Sequence, residues 1–301
     1  MTNANPVLPR NDRRGERGVT VIAHRGFGGL YPENTVDAVE RATVGSDAAD
    51  AVEIDVMPTA DGRVVAFHDE TPARVTGVPG DLADRPIWET PYDTLRDLDV
   101  LGTGRGIPTL PAVLDAVPTD VPVNIEFKNP GSADVRFAEC LGERALERAR
   151  ERWSPFAERV LDAVDVTGHD VLVSSFCEGA IAAIKAVDPS VPVASVVWDS
   201  LADGLAIARR HDCEALHVPR TAVQGTSFYG ADYHVEGWRE GVDVVAAARG
   251  EGRAVHAWTV TNWRQAAELA DAGVDAIIAD YPGLLRYDPG RSGVNVAGSD
   301  D

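Results

Sequence analysis

Short β-branched apolar runs alternate along the chain with longer stretches whose apolar residues recur at helical spacing. The runs predict strands over residues 19–23, 51–56, 121–127, 171–175, 193–197, 214–218, 254–260 and 275–279. Between them the spacing predicts helices after PENT (Val36, Val39, Ala42), over PAVLDAV after IPTL, and over 134–164, 179–187, 201–210, 243–248 and 263–270. Asp61-Gly62 is a hairpin turn signal, and Val64 to Phe67 runs back from it as a β-branched arm. Strand–helix alternation with right-handed crossovers makes an α/β fold the economical solution. It is an eight-stranded parallel (β/α)8 TIM barrel with the hairpin arm as an extra and loop insertions on the face where the strands end.

In such a barrel the reacting groups sit at the carboxyl ends of the strands. Within AVEIDV, Glu53 and Asp55 leave one face while Val52, Ile54 and Val56 leave the other. The apolar alternate face predicts burial on both sides, where unpaired carboxylates are too costly without a cation. Metal binding therefore outweighs the ordinary reading of a solvated acidic face. The hairpin arm delivers His68 and Asp69 to the same volume, and the set Thr20, Ile22, His24 puts an imidazole at the end of the first strand. PVNIEFK puts Asn124, Glu126 and Lys128 on one face, so three separate strands converge. Arg25 follows His24 in the glycine-rich HRGFGGLYPENT, where its guanidinium fork suits a pair of phosphate oxygens.

Several residues carry two readings. Asn34 or Thr35 caps the next helix, and Glu33 and Asn34 read as capping residues rather than as partners of Arg25. Asp69 is an orienting partner for an imidazole or a turn residue. Trp258 shares a face with His256 and points inward near the top, as a pocket wall or as core. His169, His211, His217 and His234 lie in no motif and are read as structural. Residues 71–108 are mostly irregular, with one short helix in PYDTLRDLDV. The insert 221–241 carries Phe228, Tyr229, Tyr233 and Trp238 and reads first as a self-packed loop, with selection of an apolar leaving group as the rival.

Composition narrows the function classes. A formal charge of -20, with only Lys128 and Lys185 as lysines, excludes a basic patch for nucleic acid or anionic membrane. Self-repulsion on that scale is relieved at high ionic strength, so the acidity is read as adaptation to a saline cytosol. Cys140, Cys177 and Cys213 are odd in number with no C-x-x-C spacing, which fits isolated thiols in a reducing compartment. Neither an export signal nor a stretch long and apolar enough for stable membrane insertion is found, so a cytoplasmic location is expected. The expected organisation is a flexible arm over 1–18, one barrel domain over 19–285 and a flexible tail over 286–301.

Taken in order, IAHRG, PENT, VEIDV, DGRVVAFHDE, IPTL, NIEFK, VLVSSF, AWTV and GVDAIIADYP resemble the glycerophosphodiester phosphodiesterase family from Val21 to about Leu284. The resemblance implies hydrolysis of small-molecule glycerophosphodiesters to glycerol phosphate and an alcohol, with one divalent metal. It implies Glu53, Asp55 and Glu126 as metal ligands, His24 and His68 as catalytic residues, and Arg25 and Lys128 at the phosphate. Trp258 is the substrate-binding candidate at the wall. An all-oxygen ligand set suits Mg²⁺ or Ca²⁺ better than zinc. Ala279 departs from the family's usual Thr. The rivals are a lyase-type phospholipase acting on intact lipid, disfavoured by the acidic surface, and a non-catalytic barrel binding protein, disfavoured by the complete site.

Overall fold

The computed structural model describes residues 18–231 and 241–286. All but Gly18 of the expected arm over 1–18, all but Arg286 of the expected tail over 286–301, and Tyr233, His234 and Trp238 of the insert lie outside the described residues. The strands are β1 (Thr20–Ala23), β2 (Ala51–Pro58), β3 (Val64–Ala66), β4 (Val123–Phe127), β5 (Val171–Ser175), β6 (Val193–Val196), β7 (Ala215–Pro219), β8 (Ala254–Val260) and β9 (Ala276–Ala279). All except β3 pair in parallel around a closed ring, in the order β1, β2, β4, β5, β6, β7, β8, β9. Closure runs through β1, with Ile22 opposite Ala51 on one side and Ile278 on the other. The extra strand β3 is the hairpin arm, antiparallel to the far end of β2 with Val56 opposite Ala66. The fold is the expected barrel.

Helices clothe the ring: α1 (Val36–Ala42), α2 (Ala73–Thr76), α3 (Tyr92–Leu95), α4 (Leu110–Leu114), α5 (Glu143–Thr167), α6 (Glu178–Val187), α7 (Leu201–Arg210), α8 (Val244–Gly250) and α9 (Trp263–Asp271). Five of their first turns are closed by a side-chain cap, from Thr35, Thr109, Ser200, Asp243 and Asn262. Against the outside of β4, Phe127 packs with Phe156 and Trp153 of α5. There α5 and α6 approach so closely that a Cβ on Gly179 would lie 2.6 Å from that of Ala149. The segment 71–108 is irregular as expected but not loose. Val75, Ile87, Leu95, Val100 and Ile107 bury their own cluster against Met57, Val65 and Phe67 of the hairpin.

The expected helix over 134–164 begins only at Glu143. Before it, Asn129 accepts from the backbone N–H of Gly131 and Ser132 to make a turn, Ala138 takes a positive φ of 52°, and the Ala138 N–H donates to Phe176 O. These bonds satisfy the backbone in a non-helical path that runs over the barrel mouth. No described helix is long and apolar enough to cross a membrane.

Inside the ring the side chains form levels. Ile22, Ala51, Leu172, Ala194, Ala215, Ala276 and Ile278 form an apolar plug. Beside it sit the buried polar residues Asn124, Ser174, His217 and His256. His217 was read as an ordinary structural histidine, but it lines the mouth cavity and its Nε2 lies 3.0 Å from Nδ1 of His256. Burial, and for His217 the neighbouring imidazole, pushes both pKa values down, that of His256 to about 4. In the unfolded chain each protonates near pH 6.5, above its folded value. The unfolded state therefore binds more protons in that window, and stability is full above pH 6.5 and is lost as pH falls toward 4. Each pH unit crossed costs up to about 1.4 kcal/mol per histidine. Replacing both, as His217→Leu with His256→Leu, should flatten the fall in melting temperature between pH 7 and pH 5. A slope equal to that of the unmodified protein would refute the assignment.

Candidate active site

The site is built by strand register. Asp55 of β2 lies directly opposite Glu126 of β4, and Glu53, two residues earlier, leaves the same face as Asp55. The three carboxylates offer oxygen atoms within 4.8 Å of one another. Glu53 and Asp55 are buried. Burial and the charges of Asp55 and Glu126 push the Glu53 pKa well above the usual carboxylate range. Its Oε1 is buried with no hydrogen-bond partner. A cluster of hard oxygen donors with an orphaned buried oxygen and unrelieved like charge fits a divalent cation.

Three side chains hold Asp55. Asn34 Nδ2 donates to Oδ2 at 2.8 Å, Arg25 Nε lies 3.2 Å from the same oxygen, and Lys128 Nζ lies 3.6 Å from Oδ1. Burial alone would raise its pKa, but Arg25, His68, Lys128 and His24 outweigh burial and hold it well below the usual range. Asn34 also accepts from the Asp55 backbone N–H at 3.0 Å. Asn34 is thus a clamp on Asp55, and Thr35 alone makes the expected cap, accepting from the Ala38 N–H. Glu33 likewise departs from the capping role and accepts from Arg25 Nη1 at 2.9 Å.

After β1 the chain turns sharply, with Arg25, Gly26 and Phe27 all at positive φ. A Cβ on Gly26 would lie 2.8 Å from that of Ala38, so the turn sits directly on α1. It aims the Arg25 N–H at Glu53 Oε2, 2.9 Å away, and turns the guanidinium into the cavity. Burial opposes its charge, but Asp55, Glu33 and Glu53 outweigh burial and raise its pKa. Lys128 is placed in the same way: burial opposes its charge, while Glu126, at 2.6 Å from Nζ, and Asp55 more than restore it.

Each imidazole has a carboxylate behind it. His24 Nδ1–H donates to Asp280 at 2.6 Å, and His68 Nδ1–H donates to Asp69 at 2.6 Å. Asp69 is therefore an orienting partner, settling the alternative left by its position. Asp280, the acid of ADYP just beyond β9, was given no role by the sequence. Arg74 was missed altogether. It lies in the patternless segment after the hairpin, yet it donates to Asp69 through Nε and Nη2 and to Glu33 through Nη1 and Nη2.

His24, Arg25, Glu53, Asp55, His68, Glu126, Lys128 and Trp258 all line one cavity of about 670 Å³ at the carboxyl ends of the strands. Every residue singled out from the sequence as a site candidate is there. The described part of the insert is not among the lining residues. Phe228 packs against the core, and Ser227 bonds to Glu268.

Fold and cavity define a (β/α)8 barrel with an acid-rich mouth, and comparison with known proteins makes it a phosphoric diester hydrolase. The model of the glycerophosphoryl diester phosphodiesterase family matches residues 24–284, and the chain belongs to that family. A probable glycerophosphodiester phosphodiesterase of Mycobacterium tuberculosis is 31% identical over 89% of this chain and 90% of its own length. A glycerophosphodiester phosphodiesterase of Bacillus altitudinis is 28% identical over 87% of this chain and 94% of its own. Among solved structures, an Oleispira antarctica phosphodiesterase in complex with its product sn-glycerol-3-phosphate has a TM-score of 0.67 at 24% identity, covering 89% of this chain and 97% of that one. At that identity the likeness bears on the fold.

The Asn34 clamp has a measurable cost. Asn34 has a φ of 56°. Asn34→Ala removes two buried hydrogen bonds and leaves a Cβ in the left-handed region, a loss of about 3 kcal/mol in all. Asn34→Gly removes the same bonds without the backbone strain and should lose about 1 kcal/mol less. Urea denaturation of the three proteins checks the order, and an Asn34→Ala protein as stable as the parent would exclude the clamp.

Proposed function

We propose that this chain hydrolyses glycerophosphodiesters to glycerol phosphate and an alcohol in the carboxyl-end cavity, using one divalent cation and two histidines. The observation that carries the reading is the buried Glu53–Asp55–Glu126 cluster, with its orphaned Glu53 oxygen, flanked by two carboxylate-oriented imidazoles. Its relatives' names point to the same substrates, and the product bound to the Oleispira antarctica enzyme is the one this reaction releases.

Glu53, Asp55 and Glu126 would hold the cation, with Mg²⁺ or Ca²⁺ matching an all-oxygen site. Bound there, it supplies positive charge against the charge that builds on the phosphoryl oxygens. Arg25 and Lys128 are both half-buried at the cavity wall and both kept charged by the acids, so they hold phosphate oxygens without reorganising. Asp280 and Asp69 each fix an Nδ1–H, which leaves each Nε2 as the nitrogen that exchanges protons. One imidazole takes the proton of the attacking hydroxyl, and the other gives a proton to the leaving alkoxide. The carboxylate behind each ring stabilises the imidazolium that forms or is consumed. Trp258 walls the substrate side. The family match over 24–284 supports one catalytic domain from 19 to 285, and the net charge supports operation in a saline cytosol.

Release of glycerol phosphate from glycerophosphocholine should require Mg²⁺ or Ca²⁺ and stop on chelation. His68→Ala and His24→Ala should each lower kcat by roughly two to four orders of magnitude. Calorimetric titration with the metal should show one site that Glu53→Gln weakens and His68→Ala retains. Turnover by the folded protein in chelator, or by the histidine variants at the parent's rate, would refute the mechanism. Raising potassium chloride from dilute buffer toward molar should raise the melting temperature and activity, and equal values in dilute buffer would sink the salt reading.

A further inference from the structure

Away from the acids the cavity wall becomes aromatic. Phe137 comes from the path before α5, Phe176 follows β5, Trp198 follows β6 and Trp258 lies on β8; all four line the cavity. Phe137 stacks on Phe176 with centroids 4.7 Å apart, Trp198 lies near-parallel to Trp258 at 6.0 Å, and Phe176 meets both tryptophans edge to face at 5.8 and 5.7 Å. This is not buried core, since Phe137 is 50% and Trp198 40% exposed. At its inner end the wall touches the phosphate side of the site, with Lys128 Nζ 5.4 Å from the Phe176 centroid. At its outer end Phe137 and Trp198 continue into a depression where Glu139 is paired with Arg136, so that Asp199 and Asp203 make the acidic rim.

Aromatic faces carry negative potential, and an acidic rim adds to it. An apolar alcohol would gain from the rings but nothing from the carboxylates. A primary ammonium is also drawn to ring faces, but it carries three N–H donors that the rings leave without acceptors, so it is better served by carboxylates or water. A trimethylammonium group has charge but no N–H to donate, so ring faces beside carboxylates suit it best. We propose that Phe137, Phe176, Trp198 and Trp258, with the acidic rim, form a subsite for a quaternary ammonium on the leaving alcohol, making choline-type glycerophosphodiesters the preferred substrates. This rests on the function proposed above and names its substrate class. Phe176 serves as the scaffold, with Lys128 and Phe137 packed against it, and the tryptophans and Phe137 present the surface.

The test compares glycerophosphocholine with the isostere whose head group carries no charge, the 3,3-dimethylbutyl ester of glycerol phosphate, on the whole chain. In parallel, choline and 3,3-dimethylbutanol are titrated against tryptophan fluorescence, which needs no turnover. The choline ester should have a kcat/KM roughly tenfold above the isostere, and choline should bind roughly tenfold tighter than the neutral alcohol. Trp198→Leu, shown folded by circular dichroism, should bring both ratios toward one. Trp198→Phe should restore most of the discrimination, and Asp199→Asn should reduce it through choline alone. Equal kcat/KM for the two esters, or no saturable choline binding, overturns the subsite even where both esters are cleaved. Choline binding that follows these variants in a protein that cleaves neither ester overturns the reaction and leaves the subsite standing.

Discussion

Everything at the barrel mouth depends on holding three carboxylates together out of water. Register fixes their spacing: β2 and β4 pair so that Asp55 faces Glu126, and the two-residue strand period brings Glu53 to the same side. Two like charges a few ångströms apart in a medium of low effective dielectric repel by several kcal/mol. The fold answers with cations placed by neighbouring elements, Arg25 from the turn after β1 and Lys128 at the end of β4, each within 4 Å of Asp55. The compensation is uneven. Asp55 is clamped and stays charged, whereas Glu53 keeps one oxygen without a partner. That imbalance is what the proposed cation would relieve.

The same logic accounts for the outer groups. Arg25 bonds to Glu33, Glu33 accepts from Arg74, Arg74 donates to Asp69, and Asp69 holds His68. The path joins the glycine-rich turn after β1 to the arm beyond β3, two elements that no strand pairing connects. Its outer member, Arg74, is half exposed, so solvent screens its charge and its main contribution is geometric. A bidentate fork on each carboxylate fixes both in one plane. On the opposite side Asp280 needs no such support, because β9 pairs directly with β1 and carries it to His24.

The barrel and the placement of the reacting groups were legible in the sequence because both follow from period-two alternation. Glu53, Asp55, Glu126 and Lys128 share a face by counting alone, and His24 falls at a strand end by the same count. Glu33, Asn34 and Arg74 were misread or missed for a different reason. A residue after a turn shows no periodicity, and a local rule such as helix capping fits PENT as well as a clamp on a strand far away does. Only the left-handed φ of Asn34, a tertiary choice, turns its amide to Asp55. The same blindness covered residues 134–142, whose composition is helical but whose backbone N–H groups donate to Ser132, Phe176 and Glu178. His217 looked ordinary because its partner, His256, is 39 residues away on a neighbouring strand.

These departures cluster at one end of the molecule, and the reason is mechanical. The ring and the apolar plug are over-determined, since each strand is held by two neighbours and by the helix behind it, so local pattern and global fold agree there. At the carboxyl end each side chain answers to groups from several segments. Phe137 lies over Phe176 only because the chain leaves Asn129 in a turn instead of entering α5 at once. Had the helix begun where composition allows, the cavity would have lost the outer half of its aromatic wall. The late start of α5 therefore acts on the site: residues withheld from the helix become the outer wall of the cavity, where the proposed subsite lies.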